Sequence, residues 1–121
     1  MTDGDLQPAA DELRQLNDQL DGATIVRRLD FDADTASGRC DVTLDLVDDE
    51  RKPTRVVSVH AREASAFRLA KFGGGLTQLL CLRVRRVDDE QHDRVRFEVE
   101  DLEGGQFLVR CAELQVASRS V

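Results

Sequence analysis

The chain has 121 residues, no tryptophan and no tyrosine, and its only aromatic residues are five phenylalanines, Phe31, Phe67, Phe72, Phe97 and Phe107. Aromatic faces are the usual stacking platforms for bases and sugars. Their scarcity turns the reading away from single-stranded nucleic acid and carbohydrate, and leaves the core to aliphatic side chains. Histidine is nearly as rare, with His60 and His92 alone, and the three cysteines, Cys40, Cys81 and Cys111, stand far apart. No Cys-x-x-Cys or His-Glu-x-x-His spacing occurs, so no metal site and no cofactor is expected. An odd number of dispersed cysteines also argues against a secreted disulfide scaffold. Each lies in an apolar run, where a free thiol acts as a small hydrophobe. No apolar run approaches the ~20 residues of a membrane span, and Met1 to Asp5 lacks the basic and apolar regions of a signal peptide. A reduced, cytoplasmic protein with no membrane partner is expected.

Charge is plentiful but lopsided. The net charge is -7, and residues 1–60 hold 14 acids against 7 Lys and Arg, whereas residues 61–121 hold 10 against 10. An acidic chain repels phosphate backbones, which makes nucleic acid an unfavourable ligand and a basic protein a favourable one. At 13.5 kDa folding buries roughly two thirds of the unfolded surface, enough for one core. A single domain over 1–121 is expected, with 1–7 and 118–121 flexible.

Pro8 suits the first turn of a helix. Leu13, Leu16 and Leu20, with Ala9 and Ala10, then recur at three- and four-residue spacing and mark an amphipathic helix ending near Asp21 and Gly22. Beyond Gly22 the period falls to two. Ile25, Leu29, Phe31 and Ala33 oppose Val26, Arg28, Asp30 and Asp32, with Arg27 on the apolar side. A turn at 34–38 leads to Cys40, Val42, Leu44 and Leu46, alternating with Asp41, Thr43 and Asp45, and completes a hairpin. After the charged loop 48–53, Val57, Val59 and Ala61 alternate with Ser58 and His60. Residues 63–72 fit neither period and are expected to form a wide connection with a short extended or helical piece.

Gly73-Gly74-Gly75 precedes an aliphatic strand over 76–87, whose phase shift at Arg86 suggests a bulge near Arg85. A polar turn at 88–93 leads to Val95, Phe97 and Val99 opposite Arg94, Arg96, Glu98 and Glu100. Gly104-Gly105 is a hairpin turn. The last strand points Phe107, Val109 and Cys111 inward, then Ala112, Leu114 and Val116, which calls for a bulge near Cys111. The fold class is α+β, mainly β: an N-terminal helix followed by about six antiparallel strands in a sandwich or partial barrel, with a meander over 76–116.

Catalytic constellations are hard to find. No serine sits in a Gly-x-Ser-x-Gly elbow, and the triple glycine lacks the Lys-Ser/Thr of a phosphate loop, so it reads as a strand entry. Ser58 and His60 share a strand face and, with Glu63, are the polar groups nearest to a catalytic or small-ligand set. Charged surface offers more. The loop Asp48, Asp49 and Glu50 and the strand face Arg94, Arg96, Glu98 and Glu100 are candidate interface residues, and Arg83, Arg85 and Arg110 on neighbouring strands would make that face a ladder of opposite charges.

The stretch Val-Arg-Phe-Glu-Val-Glu-Asp-Leu-Glu-Gly-Gly-Gln-Phe-Leu-Val-Arg-Cys, from Val95 to Cys111, resembles the C-terminal hairpin of small uncharacterised bacterial β-rich proteins. Some of these resemble immunity proteins of polymorphic toxin systems. The likeness covers about the last third of the chain, rests on strand pattern, and carries no functional residue over. It implies a small binder of a toxin domain. With no catalytic constellation and an uneven charge, the first functional expectation is a non-enzymatic protein-binding module whose partner the sequence leaves open, a toxin domain or another basic protein being candidates. The second is a small-ligand carrier or small enzyme with a pocket between sheet and helix. The third is a homodimer built on a sheet edge or the helix.

Overall fold

In a computed structural model, which describes residues 3–87 and 95–121, the helix α1 (Asp3–Leu20) is followed by β1 (Ile25–Asp34), β2 (Arg39–Val47), β3 (Arg55–Leu69), β4 (Leu82–Arg86), β5 (Phe97–Asp101) and β6 (Phe107–Ser120). All pairings are antiparallel, in one six-stranded sheet of order β1-β2-β3-β6-β5-β4. The helix-then-strands order and the meander β4-β5-β6 are those expected. The second layer is not a second sheet. It is α1, laid on β4 and β6, together with the curl of the sheet itself.

The helix begins at Asp3 rather than Pro8, and Gly22, at φ 81°, ends it. Leu16 and Leu20 are buried, each contributing roughly 1.5–3 kcal/mol. Asn17 fixes the seating. The Val84 N–H donates to its Oδ1 at 2.8 Å, and its Nδ2 donates to the Val84 carbonyl at 3.0 Å. A helix side chain thus fills the hydrogen-bonding place of a seventh strand along β4. No basic residue stands in the last turn of α1. Arg55 of β3 takes that role, donating to the carbonyls of Gln19 and Asp21, where a cation complements the negative end of the helix.

Three irregularities bend the sheet and explain where the two-residue period misleads. In β1 the register shifts between Val26 and Arg28. Arg27 is pushed out to solvent, and Ile25 lies on the outer face with Val47 and Val56, opposite to Leu29, rather than beside it. In β3 the shift falls between Ala64 and Ala66, next to Glu63 at φ 53°. The strand therefore continues to Leu69, where a wide connection is expected from sequence, because the bulge turns Ala61, Ala64 and Phe67 inward at a spacing that fits no regular element. In β6 the inward set changes parity after Cys111, as its pattern suggests. No bulge occurs in β4. Arg86 pairs with Phe97 and lies over its ring, 5.9 Å from the centroid. At the C-terminal end β6 pairs with β3 as far as Ser120.

The curl brings the two edges of the sheet together at one point. Residues 77–79, just before β4, pair with the start of β1: the Val26 N–H donates to the Thr77 carbonyl at 2.9 Å and the Leu79 N–H to the Thr24 carbonyl at 2.7 Å. Leu79 is fully buried there. The buried Asp101 carboxylate steadies the same segment, accepting the Cys81 and Gln106 amides at 3.4 Å each. Beyond this point the sheet stays open.

Candidate functional site

Cross-strand register assigns the polar side chains to an outer face, away from α1, and divides that face in two. Over β4, β5, the first part of β6 and the end of β3 run the rows Arg85, Glu98, Arg110 and Arg83, Glu100, Leu108, Arg68. This is the ladder expected from sequence. Glu98 Oε1 accepts Arg85 Nε at 2.7 Å, Glu98 Oε2 accepts Arg110 Nε at 2.7 Å, and Arg68 reaches Glu100 at 3.3 Å. Glu98 itself is only 1% exposed, beneath arginines that are 65% and 38% exposed. Burial pushes its carboxyl up, but the hydrogen bonds from Arg85 and Arg110 outweigh burial and hold it below its ordinary value. Glu98 is thus buried and doubly paired, bracing β4, β5 and β6 together. Glu100 is partly exposed and Arg96 is exposed. Arg94 and His92 lie outside the described residues.

Over β1, β2, the first part of β3 and the end of β6 the rows are Arg28, Asp45, Ser58, then Asp30, Thr43, His60, Gln115, then Asp32, Asp41, Arg62, Glu113. Five carboxylates face two arginines, and Asp32 stands directly opposite Asp41. The ladder half has four arginines for two glutamates. The charge asymmetry of the sequence is thereby laid out across one surface. Ser58 donates to Asp45 at 2.6 Å, while His60 Nδ1 lies 3.3 Å from the Thr43 hydroxyl. The two share a face as expected, but each is held by a residue of β2 and not by the other. They look away from α1, so they line no pocket between helix and sheet. Two shallow polar depressions of about 290 and 310 Å3 meet at His60 and Arg62. Among the described residues no group of His, Cys, Asp or Glu is arranged to hold a metal ion, and no helix is long and apolar enough to cross a membrane.

The loop 48–53 separates into structural and free acids. Asp48 accepts the Thr54 hydroxyl and the Thr54 and Arg55 amides, which lower its carboxyl to about 2. Asp49 accepts the Lys52 and Arg51 amides, which hold its carboxyl below its ordinary value. These are self-contained turns. Glu50 is exposed and takes no part in them. Beside the loop lies a feature that the sequence pattern does not reveal, an open groove of about 420 Å3. Ile25, Val26, Val47, Pro53, Leu76 and Val121 give it apolar lining, and Asp49, Glu50 and the exposed Arg27 its charges. Leu76 is 53% exposed and Val121 72%. These residues are scattered through the chain, and only the register of β1 with β2 and the return of residues 77–79 to β1 bring them together.

Cys111 is fully buried, and burial pushes its thiol up to about 12, as a core position requires. Cys40 and Cys81 are half-buried and free. No protein-family model, no curated protein and no solved structure matches the chain.

Proposed function

We propose that the protein is a protein-binding module for a basic partner. One observation carries this reading: an open, largely apolar groove where two carboxylates, Asp49 and Glu50, stand with one cation, Arg27, on a chain of net charge -7. Contiguous exposed apolar surface rimmed by polar residues is a mark of contact sites, and a net acidic chain draws in a partner whose apolar anchor is flanked by lysine or arginine. Neutralisation of a basic toxin domain, which the resemblance of the C-terminal hairpin implies, is one form of this reading. Peptides with a single leucine between lysines, titrated into the protein, are expected to bind the native chain and to bind the Glu50→Lys and Leu76→Ser variants about tenfold more weakly. Equal binding of peptides with glutamates in place of the lysines rejects a basic partner.

A further inference from the structure

The two outer edges of the sheet are treated differently. At β4 the outward-facing amide and carbonyl of Val84 are taken up by Asn17. At β1 only the first residues are covered, by 77–79. From Arg27 to Asp34 the outer edge of β1 has no backbone partner among the described residues. An unpaired edge is a template for another strand unless something blocks it. Among the described residues nothing bulky does, since α1 packs on β4 and β6.

The side chains along this edge form a pattern of their own. Leu29, Phe31 and Ala33 lie on the inner face, and on the outer lie Asp30, ion-paired with Arg28 at 2.6 Å, and Asp32, which faces Asp41. Phe31 is 53% exposed although its ring sits 5.5 Å from that of Phe67, which in turn meets Phe107 edge-on at 5.9 Å. The core therefore runs out to the edge strand and stops there uncovered. We infer that β1 accepts an added β-strand from a basic partner, one with apolar residues on one face and lysines or arginines on the other. The main chain of that strand would complete the ladder of β1. Its apolar residues would cover Phe31 and Leu29, and its cations would stand opposite Asp30 and Asp32, the charge order that cross-strand pairs favour.

A second copy of this chain is a poor occupant. Pairing two β1 edges antiparallel about Phe31 sets Asp30 against Asp32 at the centre, with Arg28 against Asp34 at the ends. The basic edge strand β4, whose Arg83 and Arg85 would match, has Val84 taken up by Asn17 and lies against α1. The acids thus discourage self-pairing while leaving the edge open to a strand of opposite charge.

This inference rests on the protein-binding reading and adds a main-chain mode to it. The test uses a short peptide of alternating valine and lysine, the same peptide N-methylated at every second amide, and amide hydrogen exchange across β1. The expected result is binding of the first peptide with exchange slowed about tenfold or more at the outward amides of 28–34, and binding of the N-methylated peptide weakened by about tenfold. Equal binding of the two peptides, binding without protection of β1, or no binding overturns strand addition. If the leucine-lysine peptides still bind and remain sensitive to Glu50→Lys, the groove reading stands by itself; if they too fail, both readings fall.

Discussion

The two halves of the outer face use the same residue types for different ends. On the ladder half, arginine and glutamate alternate across strands so that Glu98 is fully paired and buried, and Glu100 is met by Arg68. On the other half, Asp32 faces Asp41, carboxylates outnumber arginines, and from Arg27 onward the outer edge of β1 has no backbone partner among the described residues. A charged strand face is therefore not one kind of surface. Where opposite charges match in register they close on each other and stabilise the fold; where they do not, the unmatched charge remains available to something outside.

The contrast can be broken from either side. The largest effect is expected on the ladder half. Arg110→Met leaves the buried Glu98 carboxylate with one partner, and a loss of about 2–3 kcal/mol is expected from urea denaturation, since a buried charge stripped of a partner is penalised heavily. Asn17→Ala comes next. It uncovers the amide and carbonyl of Val84, with an expected cost of about 1–2 kcal/mol and a new tendency to associate, measured by light scattering at rising concentration.

Acid should find the same brace. The folded value of Glu98 lies below its ordinary value of 4.5, so its contribution is complete above that value and is lost as pH falls through the lowered one. The denaturation midpoint is expected to hold steady near neutrality and to drop below about pH 4, and the Glu98→Gln variant should drop less steeply there. Asp48, lowered from 3.8 to about 2, contributes to the acid limb in both proteins and so cancels in that comparison. The smallest effect is expected on the acidic half. Asp32→Asn removes a like-charge pair with Asp41, and stability should stay level or rise by a few tenths of a kcal/mol. A marked loss would mean that these carboxylates also serve the fold.

Much of the architecture is legible in the sequence. The helix, the strands and the closing meander follow from periods of three to four and of two. The ladder follows from arginine and glutamate alternating on strands that hairpin turns bring together. What escapes is whatever depends on register. A one-residue bulge reverses every side chain beyond it, so Ile25 lands on the outer face and β3 runs on through Phe67, where the pattern reads as neither helix nor strand. The burial of Glu98 is invisible for a similar reason. Its partners lie 12 and 13 residues away on flanking strands, and an alternating strand alone places it in solvent. The groove is hidden more deeply, because Ile25, Val47, Leu76 and Val121 share no local signal. Phe31, alone between aspartates in Asp-Phe-Asp, was the one hint at the bare edge.

The most direct test of the division of labour is a pair of charge reversals, Asp30→Lys with Asp32→Lys on the acidic edge and Arg83→Glu on the ladder half, each checked for a native denaturation profile and titrated with the valine-lysine peptide. The expected result is that reversal at β1 weakens binding by about tenfold or more while reversal at Arg83 leaves it unchanged. Equal loss from both, or loss from Arg83→Glu alone, would contradict the assignment of binding to one half of the face and bracing to the other.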